Sequence, residues 1–232
     1  MEHTKNITRR LWTNRLVYWG VCLLAGLTAV PLLAILGEVL VRGWQQFSWE
    51  FFTEPTPTAF KAMKAVAAGE TIPGGIANGI IGTMLMLGMA TAFAVPVGIL
   101  CGIYLAENGK KRFAIIVSYL TDLLQGTPSV IIGIITYIWV VVPMKGYSAI
   151  AGSVALFIMM LPLIIRSTEE TMKILPASLK EAGLALGGNY ARVVLKVQLP
   201  AAFGGIFTGV LLAVSRVIGE TAPLMFTALG CS

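Results

Sequence analysis

Charge is scarce in this 232-residue sequence, and the shortage decides its broad class. Only 12% of the residues are Asp, Glu, Lys or Arg, against about 25% in an ordinary soluble domain. Hydrophobic residues make up 56% of the chain, and the mean hydropathy is +0.82. A water-soluble fold is therefore excluded, and we expect no nucleic-acid partner for the formal charge of +6.

Cysteine and histidine are also rare. Cys22, Cys101 and Cys231 stand singly in or beside apolar runs, so neither a disulfide framework nor a zinc site is indicated. We expect them to be small, buried apolar residues. The one histidine, His3, has no neighbours of ligand type, and we predict neither a metal nor a cofactor.

Catalytic and nucleotide-binding signatures are missing as well. The sequence contains no G-x-x-x-x-G-K-[ST] phosphate loop, because Tyr104 stands where the first glycine would precede Gly109-Lys110. It has no G-x-S-x-G or H-E-x-x-H motif to support an intramembrane enzyme. We therefore predict a protein that is not an enzyme, and any ATP-driven activity would need a separate ATP-binding partner.

Long apolar segments dominate what is present. A helix needs roughly 20 apolar residues to cross about 30 Å of hydrocarbon. The segments predict an all-α integral membrane protein, a bundle of about five transmembrane helices in one domain over residues 1–232. The predicted spans are 15–41, 76–105, 120–142, 150–165 and 201–222, and a long polar loop covers 166–200.

The basic residues predict an orientation. Placing the N-terminus and the segments 106–112 and 166–200 in the cytoplasm puts twelve Lys and Arg residues inside and four outside, with Arg216 left in the membrane. Cytoplasmic segments carry such an excess of Lys and Arg. The N-terminus is therefore expected inside. Its apolar segment is too long for a signal peptide and is predicted to be a retained helix.

The 42–75 segment, predicted to lie outside, allows two interpretations. Its aromatic residues, among them Trp44 and Trp49, are typical of side chains at the headgroup level. A short interfacial helix over the outer mouth of the bundle is the alternative.

Glycine and proline punctuate the predicted spans. Pairs of glycines at four-residue spacing allow close helix packing, either within the chain or with a second membrane subunit. They are Gly75 and Gly79, Gly98 and Gly102, and Gly205 and Gly209. Prolines inside the spans predict kinks. These are Pro31, Pro96, Pro128 and Pro162.

The 166–200 loop carries signals for two short helices. Ser178 and Glu181 have the spacing of a capping box. Gly187-Gly188 predicts the end of this helix, and Asn189 is a suitable cap for a second helix ending before Pro200. Apolar residues on such an exposed loop indicate a partner surface. They are Leu179, Leu184, Ala185 and Leu186.

The same loop resembles the Glu-Ala-Ala signature of ABC-importer permeases. The matching residues are Glu181-Ala182-Gly183, Gly187 and the end Val197-Gln198-Leu199-Pro200, with Gly183 in place of the usual Ala and Val197 in place of Ile. In that family the loop docks in a cleft of the ATP-binding subunit. The resemblance therefore implies that Glu181, Ala182, Gly183 and Gly187 couple the permease to an ATPase.

A second polar motif lies in the last predicted span. An arginine at mid-membrane costs roughly 2.5 to 3.5 kcal/mol, so Arg216 is not expected to face lipid unpaired. Arg216 and Glu220 are four residues apart and are predicted to pair on one helix face. Because Pro223 removes an amide, the motif predicts a polar, partly broken helix end that lines water or a pathway.

This motif resembles one shared by the permease subunits of bacterial phosphate importers. The residues are Ser215-Arg216-Val217-Ile218-Gly219-Glu220-Thr221, and the continuation Ala222-Pro223-Leu224 resembles the PstA type. Supporting stretches are 73–83 and 125–129. The resemblance implies that Ser215, Arg216, Glu220 and Thr221 line a pathway for inorganic phosphate.

The resemblance also implies partners in the bacterial inner membrane. They are a homologous PstC-type permease, a dimer of PstB-type ATP-binding subunits and a periplasmic phosphate-binding protein of the PstS type, besides membrane lipid. Such permeases usually have six spans, whereas this sequence stops at Ser232 after the fifth; we expect truncation. A permease for sulfate or molybdate, and a membrane signalling or scaffold subunit, remain alternatives.

Overall fold

A computed structural model describes residues 2–44, 47–70 and 72–228, with side chains from Arg10 onward. Every regular element in this described part is helical. Two compact units divide the chain, Met1–Ala77 and Asn78–Ser232. Four helices are long and apolar enough to cross a membrane, or five spans if one bent pair counts as a single span. The predicted all-α membrane fold is confirmed.

The first unit holds one long helix and two short ones. Helix α1, Glu2–Gly43, contains the first predicted span and Pro31, and its described side chains are almost all exposed. Helices α2, Trp49–Thr53, and α3, Ala59–Ala68, follow. Ser48 Oγ caps α2 by accepting from the Phe51 amide. The segment between the first two predicted spans thus contains two short helices, and a place for them at the membrane interface stays a prediction.

The second unit begins with α4, Ala77–Asn108, which agrees with the predicted span to within three residues. The next predicted span, 120–142, is bent at Pro128, as the proline predicted, and the bend breaks it into two helices. Helix α5, Arg112–Gly126, meets α6, Ser129–Thr136, at 106°. Pro128 breaks the helix, because it has no amide to donate and it holds Thr127 in an extended conformation. A π-helical turn, π1 (Tyr137–Val141), and a short helix, α7 (Val142–Met144), follow α6 directly.

Helix α8, Ala149–Ile174, is the most buried of the long apolar helices. Its first turns are rich in small residues, which let neighbouring helices approach closely. It also extends nine residues beyond the predicted end at 165. Three of the charged residues that suggested a loop, Arg166, Glu169 and Lys173, are instead paired within the helix and with α5.

Two of the three predicted glycine pairs pack against α8. A Cβ added at Gly98 or Gly102 of α4 would lie 2.7 Å from Ile164 Cγ2 or 2.6 Å from Thr168 Cβ. On an adjoining part of the same face of α8, a Cβ at Gly205 would lie 2.5 Å from Thr171 Cγ2, and one at Gly209 would overlap the Ser167 side chain. Packing within the chain is therefore confirmed for these pairs, whereas Gly79 faces open space.

Five further elements follow α8 in the described part of the chain. They are α9 (Ala177–Ala185), α10 (Tyr190–Val193), a second π turn, π2 (Val194–Gln198), α11 (Leu199–Ile218) and α12 (Ala222–Thr227). The expected helix end before Pro200 is wrong, because α10, π2 and α11 join into one helix from Tyr190 to Ile218. The π turn shifts the hydrogen-bond register directly before the proline, where an amide is missing.

The cysteines differ from their expected burial. Cys22 is exposed on α1, Cys101 is half-buried, and Cys231 lies outside the described residues, as does the side chain of His3. The described part of the chain contains no group of three His, Cys, Asp or Glu side chains that could hold a metal ion.

Candidate functional site

The elbow, residues 177–193, consists of α9, a tight turn and α10. Gly187 has φ +79°, and its amide donates to Leu184 O at 2.9 Å, while the Gly188 amide donates to Gly183 O at 3.2 Å. These two bonds form the Schellman arrangement that ends a helix at a glycine in the left-handed region. The predicted glycine corner is confirmed, and Asn189 occupies the N-cap position of α10.

The predicted capping box at the start of α9 is wrong. Pro176 occupies the N-cap position, and no side-chain bond caps this helix. The Leu179 amide donates to Pro176 O instead, at 3.0 Å. The helix begins two residues earlier than the motif requires, because proline is compatible with a helix start and holds φ near the helical value.

The residues assigned to ATPase coupling lie together on the elbow but in different surroundings. Glu181 and Ala182 are exposed on α9, and Gly187 is exposed at the corner. Gly183 is half-buried, and a Cβ there would lie 2.8 Å from Val193 Cγ1. Glycine at this third position of the signature therefore lets α9 pack directly on α10.

The elbow also presents apolar side chains to its surroundings. Leu184 is 40% exposed and Leu186 is 90% exposed, beside an exposed Ala185 and a half-buried Leu179. An apolar group so strongly exposed on a polar segment is typical of a surface that binds another protein.

A carboxylate at the end of α4 holds the elbow. Glu107 Oε2 accepts a hydrogen bond from Tyr190 Oη at 2.6 Å and forms an ion pair with Lys180 Nζ. Lys180 Nζ also lies 4.9 Å from the centroid of the Tyr190 ring. Glu107 was not predicted from the sequence as a functional residue. An acidic residue in the last turn of a helix, where the dipole favours cations, was the available signal.

The polar motif at the end of α11 has a different geometry from the predicted one. Helix α11 ends at Ile218 and Gly219 is its C-cap, so Glu220 lies beyond the helix. The ion pairs of the described residues do not include one between Arg216 and Glu220. The predicted pairing is therefore wrong, because four-residue spacing brings side chains together only where the helix continues.

The broken helix end itself is confirmed. Thr221 precedes α12, whose first turn contains Pro223. Pro223 is buried against α6, where a Cβ at Gly133 would lie 2.8 Å from its Cα. Ser215, Arg216 and Thr221 are exposed and Glu220 is half-buried. The break thus brings α12 back onto the bundle and leaves the arginine on the surface of this chain.

A second charge cluster, which was not predicted from the sequence, joins α5 to the end of α8. Arg166 donates to Asp122 Oδ1 at 2.5 Å, to Glu169 Oε2 at 2.6 Å and to Ser118 Oγ at 2.8 Å. Lys173 Nζ donates to Glu169 Oε1 at 2.6 Å. Glu169 is only 5% exposed. Each of its two carboxylate oxygens meets a cation, which offsets the cost of burying its negative charge. The spacing of Arg166, Glu169 and Lys173 was a readable helical signal, whereas Asp122 is distant in sequence.

Comparison with known proteins places this helical architecture in a family. Residues 98–230, more than half of the chain, match the family described as the binding-protein-dependent transport system inner membrane component. The chain belongs to this family. The matched range contains both the elbow and the end of α11, and the membership makes the chain a multi-pass component of an inner membrane.

Relatives within this family share a name. The chain is 40% identical over 199 residues to the phosphate transport system permease protein PstA of Yersinia pestis, and 40% identical over 196 residues to that of Haemophilus influenzae. It is 32% identical over 197 residues to phosphate transport system permease protein PstA 1 of Mycobacterium tuberculosis. These matches cover 84 to 85% of this chain but only 62 to 66% of the relatives' lengths.

A solved structure supports the fold. The chain is similar to a chain of the MetNI methionine ABC transporter in an inward-facing conformation, with a TM-score of 0.55 and 20% sequence identity. The similarity covers 75% of this chain and 79% of the other.

Proposed function

We propose that this chain is a permease subunit of an ATP-driven importer of inorganic phosphate. The observation that carries the proposal is the 40% identity, over 85% of the chain, to a protein named as a PstA phosphate transport permease. The family to which the chain belongs is the membrane component of a transport system. A separate ATP-binding subunit would hydrolyse ATP.

The exposed face of the elbow supports docking to that ATP-binding subunit. Leu184, Ala185 and Leu186 present an apolar surface, and Glu181 and Ala182 lie exposed on the same helix. The partner of this surface would be a dimer of PstB-type subunits. Gly183 and Gly187 would act indirectly, since they set the close packing and the corner that hold the exposed residues in place.

The exposed end of α11 supports a pathway for an oxyanion. A guanidinium offers a planar fork of donors that matches two oxygens of a phosphate, whereas an ammonium acts as a point charge. Arg216 is exposed and forms none of the ion pairs in the described residues, so its donors are open to a ligand. Ser215, Thr221 and Glu220 would line the same region, opposite a PstC-type permease subunit.

The orientation follows from the basic residues. The cytoplasmic side would hold the N-terminus, the α4–α5 connection and the elbow, because these segments carry most of the Lys and Arg residues. The outer side would then hold α2, α3 and the end of α11. Phosphate delivered by a periplasmic PstS-type binding protein would meet Arg216 near the outer surface.

The test is uptake of radiolabelled phosphate into vesicles that carry the full complex with its binding protein. We expect uptake that requires ATP and that excess unlabelled phosphate suppresses. Sulfate and molybdate are added as competitors. Stronger suppression by either of them would assign the permease to another oxyanion, and a complex that regulates its partners without any uptake would favour a signalling subunit.

A further inference from the structure

The joint between the elbow and α4 consists of one carboxylate and two donors. The side chain of Glu107 is only 11% exposed, and its Oε2 receives both the Lys180 ammonium and the Tyr190 hydroxyl. Lys180 belongs to α9 and Tyr190 begins α10. The two short helices of the elbow are therefore tied to the same atom of a transmembrane helix.

Glu107 stands at a position where a carboxylate needs a compensating cation. It lies in the last turn of α4, where the partial negative charge of the helix end disfavours a carboxylate. Lys180 supplies the compensating charge. The hydrogen bond from its ammonium to Glu107 raises the pKa of Lys180, because the carboxylate favours the charged form.

We propose that Glu107 is the positioning residue through which movement of the elbow is carried into α4. The inference rests on the proposed function, in which the elbow docks to an ATPase. Of the hydrogen bonds and ion pairs in the described residues, those of Glu107 are the ones that connect α9 with α4.

Close helix packing links α4 to the other transmembrane helices of the second unit. Gly98 and Gly102 leave no space between α4 and α8, so a displacement of α4 has to move its neighbour. Gly205 and Gly209 produce the same close contact between α8 and α11. Movement of the elbow reaches Arg216 directly, because α10, π2 and α11 form one helix from Tyr190 to Ile218. The ion pair at Glu107 makes α4 follow the same movement, and α8 is packed against both α4 and α11.

The experiment places a fluorophore at Leu100, which is 65% exposed on α4, in a chain whose own cysteines are replaced by alanine. The assembled complex is trapped with ATP and vanadate. We expect the fluorescence of the parent complex to change on trapping, and Glu107→Gln and Lys180→Met to lose that change while ATP hydrolysis continues. Phosphate transported per ATP should fall about tenfold in both variants.

Matched controls distinguish loss of the Glu107–Lys180 contact from general destabilisation of the protein. Glu170→Gln and Lys196→Met remove the same charges from exposed positions that form none of the described ion pairs, and both should behave like the parent. The exchange variant Glu107→Lys with Lys180→Glu should recover much of the fluorescence change, which a loss of folding would not allow.

Two results would overturn the inference. The first is a normal fluorescence change and a normal transport ratio in Glu107→Gln. The second is a parent complex whose α4 reporter does not respond to trapping at all. Failure of the proposed function is seen separately, as a parent complex that takes up no phosphate while its reporter still responds to nucleotide.

Discussion

Arg216 is the side chain to which we assign contact with the substrate. Replacing Arg216 with Gln removes the charge and the planar donor fork, so we expect phosphate uptake to be abolished while the protein stays in the membrane. Arg216→Lys keeps the charge without the fork and should retain a small fraction of uptake. Uptake is measured beside a membrane-abundance blot, with Lys61→Gln at an exposed position on α3 as the control.

Undiminished uptake by Arg216→Gln would remove this residue from the pathway, and loss of the protein itself would favour a structural role.

Glu220 provides a sharper comparison. Because Glu220 lies beyond the end of α11 and makes no ion pair with Arg216 in the described residues, we expect Glu220→Gln to reduce uptake less than Arg216→Gln does.

Gly187 is the second single residue with a specific requirement. Its φ of +79° costs a residue with a side chain roughly 1 to 3 kcal/mol. A Cβ there would meet nothing within 4 Å in this chain, so any clash would be with a partner. We expect Gly187→Leu to assemble but to uncouple ATP hydrolysis from phosphate uptake.

Gly187→Asn is the matched variant, because asparagine tolerates the left-handed region better than other residues do. Coupling in this variant should lie closer to that of the parent. Normal coupling in Gly187→Leu, measured as phosphate taken up per ATP, would exclude the corner from the mechanism.

Helix packing in the second unit depends on the glycines that face α8. Gly102→Ala and Gly209→Ala each place a Cβ against α8, and overpacking of this kind typically costs about 1 to 3 kcal/mol. We expect both variants to unfold at a lower temperature in detergent. Gly204→Ala lies on the same helix as Gly209 but meets open space, so its unfolding temperature should be unchanged or slightly higher.

Equal unfolding temperatures for Gly204→Ala and Gly209→Ala would mean that the contact between α11 and α8 does not exist as described. The comparison also tests whether α8 is held closely enough against α11 to follow its movement.

The orientation of the chain in the membrane is testable with two exposed positions. Thr58 precedes α3 and Ser178 lies on α9. In intact cells, Thr58→Cys should react with an impermeant thiol reagent and Ser178→Cys should not, because the basic segments favour the cytoplasm. The parent's cysteines are replaced first. Labelling of Ser178→Cys alone would reverse the orientation.

Local chemistry made several parts of the structure predictable. Long apolar runs require helices that satisfy their own backbone in lipid, which led directly to the all-α membrane fold. The glycine corner at Gly187 and the proline break near Pro223 depend on single residues and their backbone limits. The Glu-Ala-Ala signature and the arginine motif indicated the family through residues that are close together along the chain.

Contacts between distant segments were not predictable in the same way. Charges in 166–173 indicated a loop, because pairing of Arg166 with Asp122 depends on where α5 lies. The sequence spacing of Arg216 and Glu220 assumed a continuous helix, and the end of α11 at Gly219 separates them. The helix start at Pro176 likewise depended on the path of the chain leaving α8.

Sequence by itself determined the class of the protein, its apolar helices and its family, because these follow from composition and from motifs in which neighbours along the chain interact. Tertiary structure alone decided that α8 is the buried centre, that Arg166 is neutralised by α5, and that Glu107 receives Lys180 and Tyr190. A charge or a glycine in one segment does not specify its partner in another. That choice depends on the packing of the helices, which sets the distance between residues far apart in the chain.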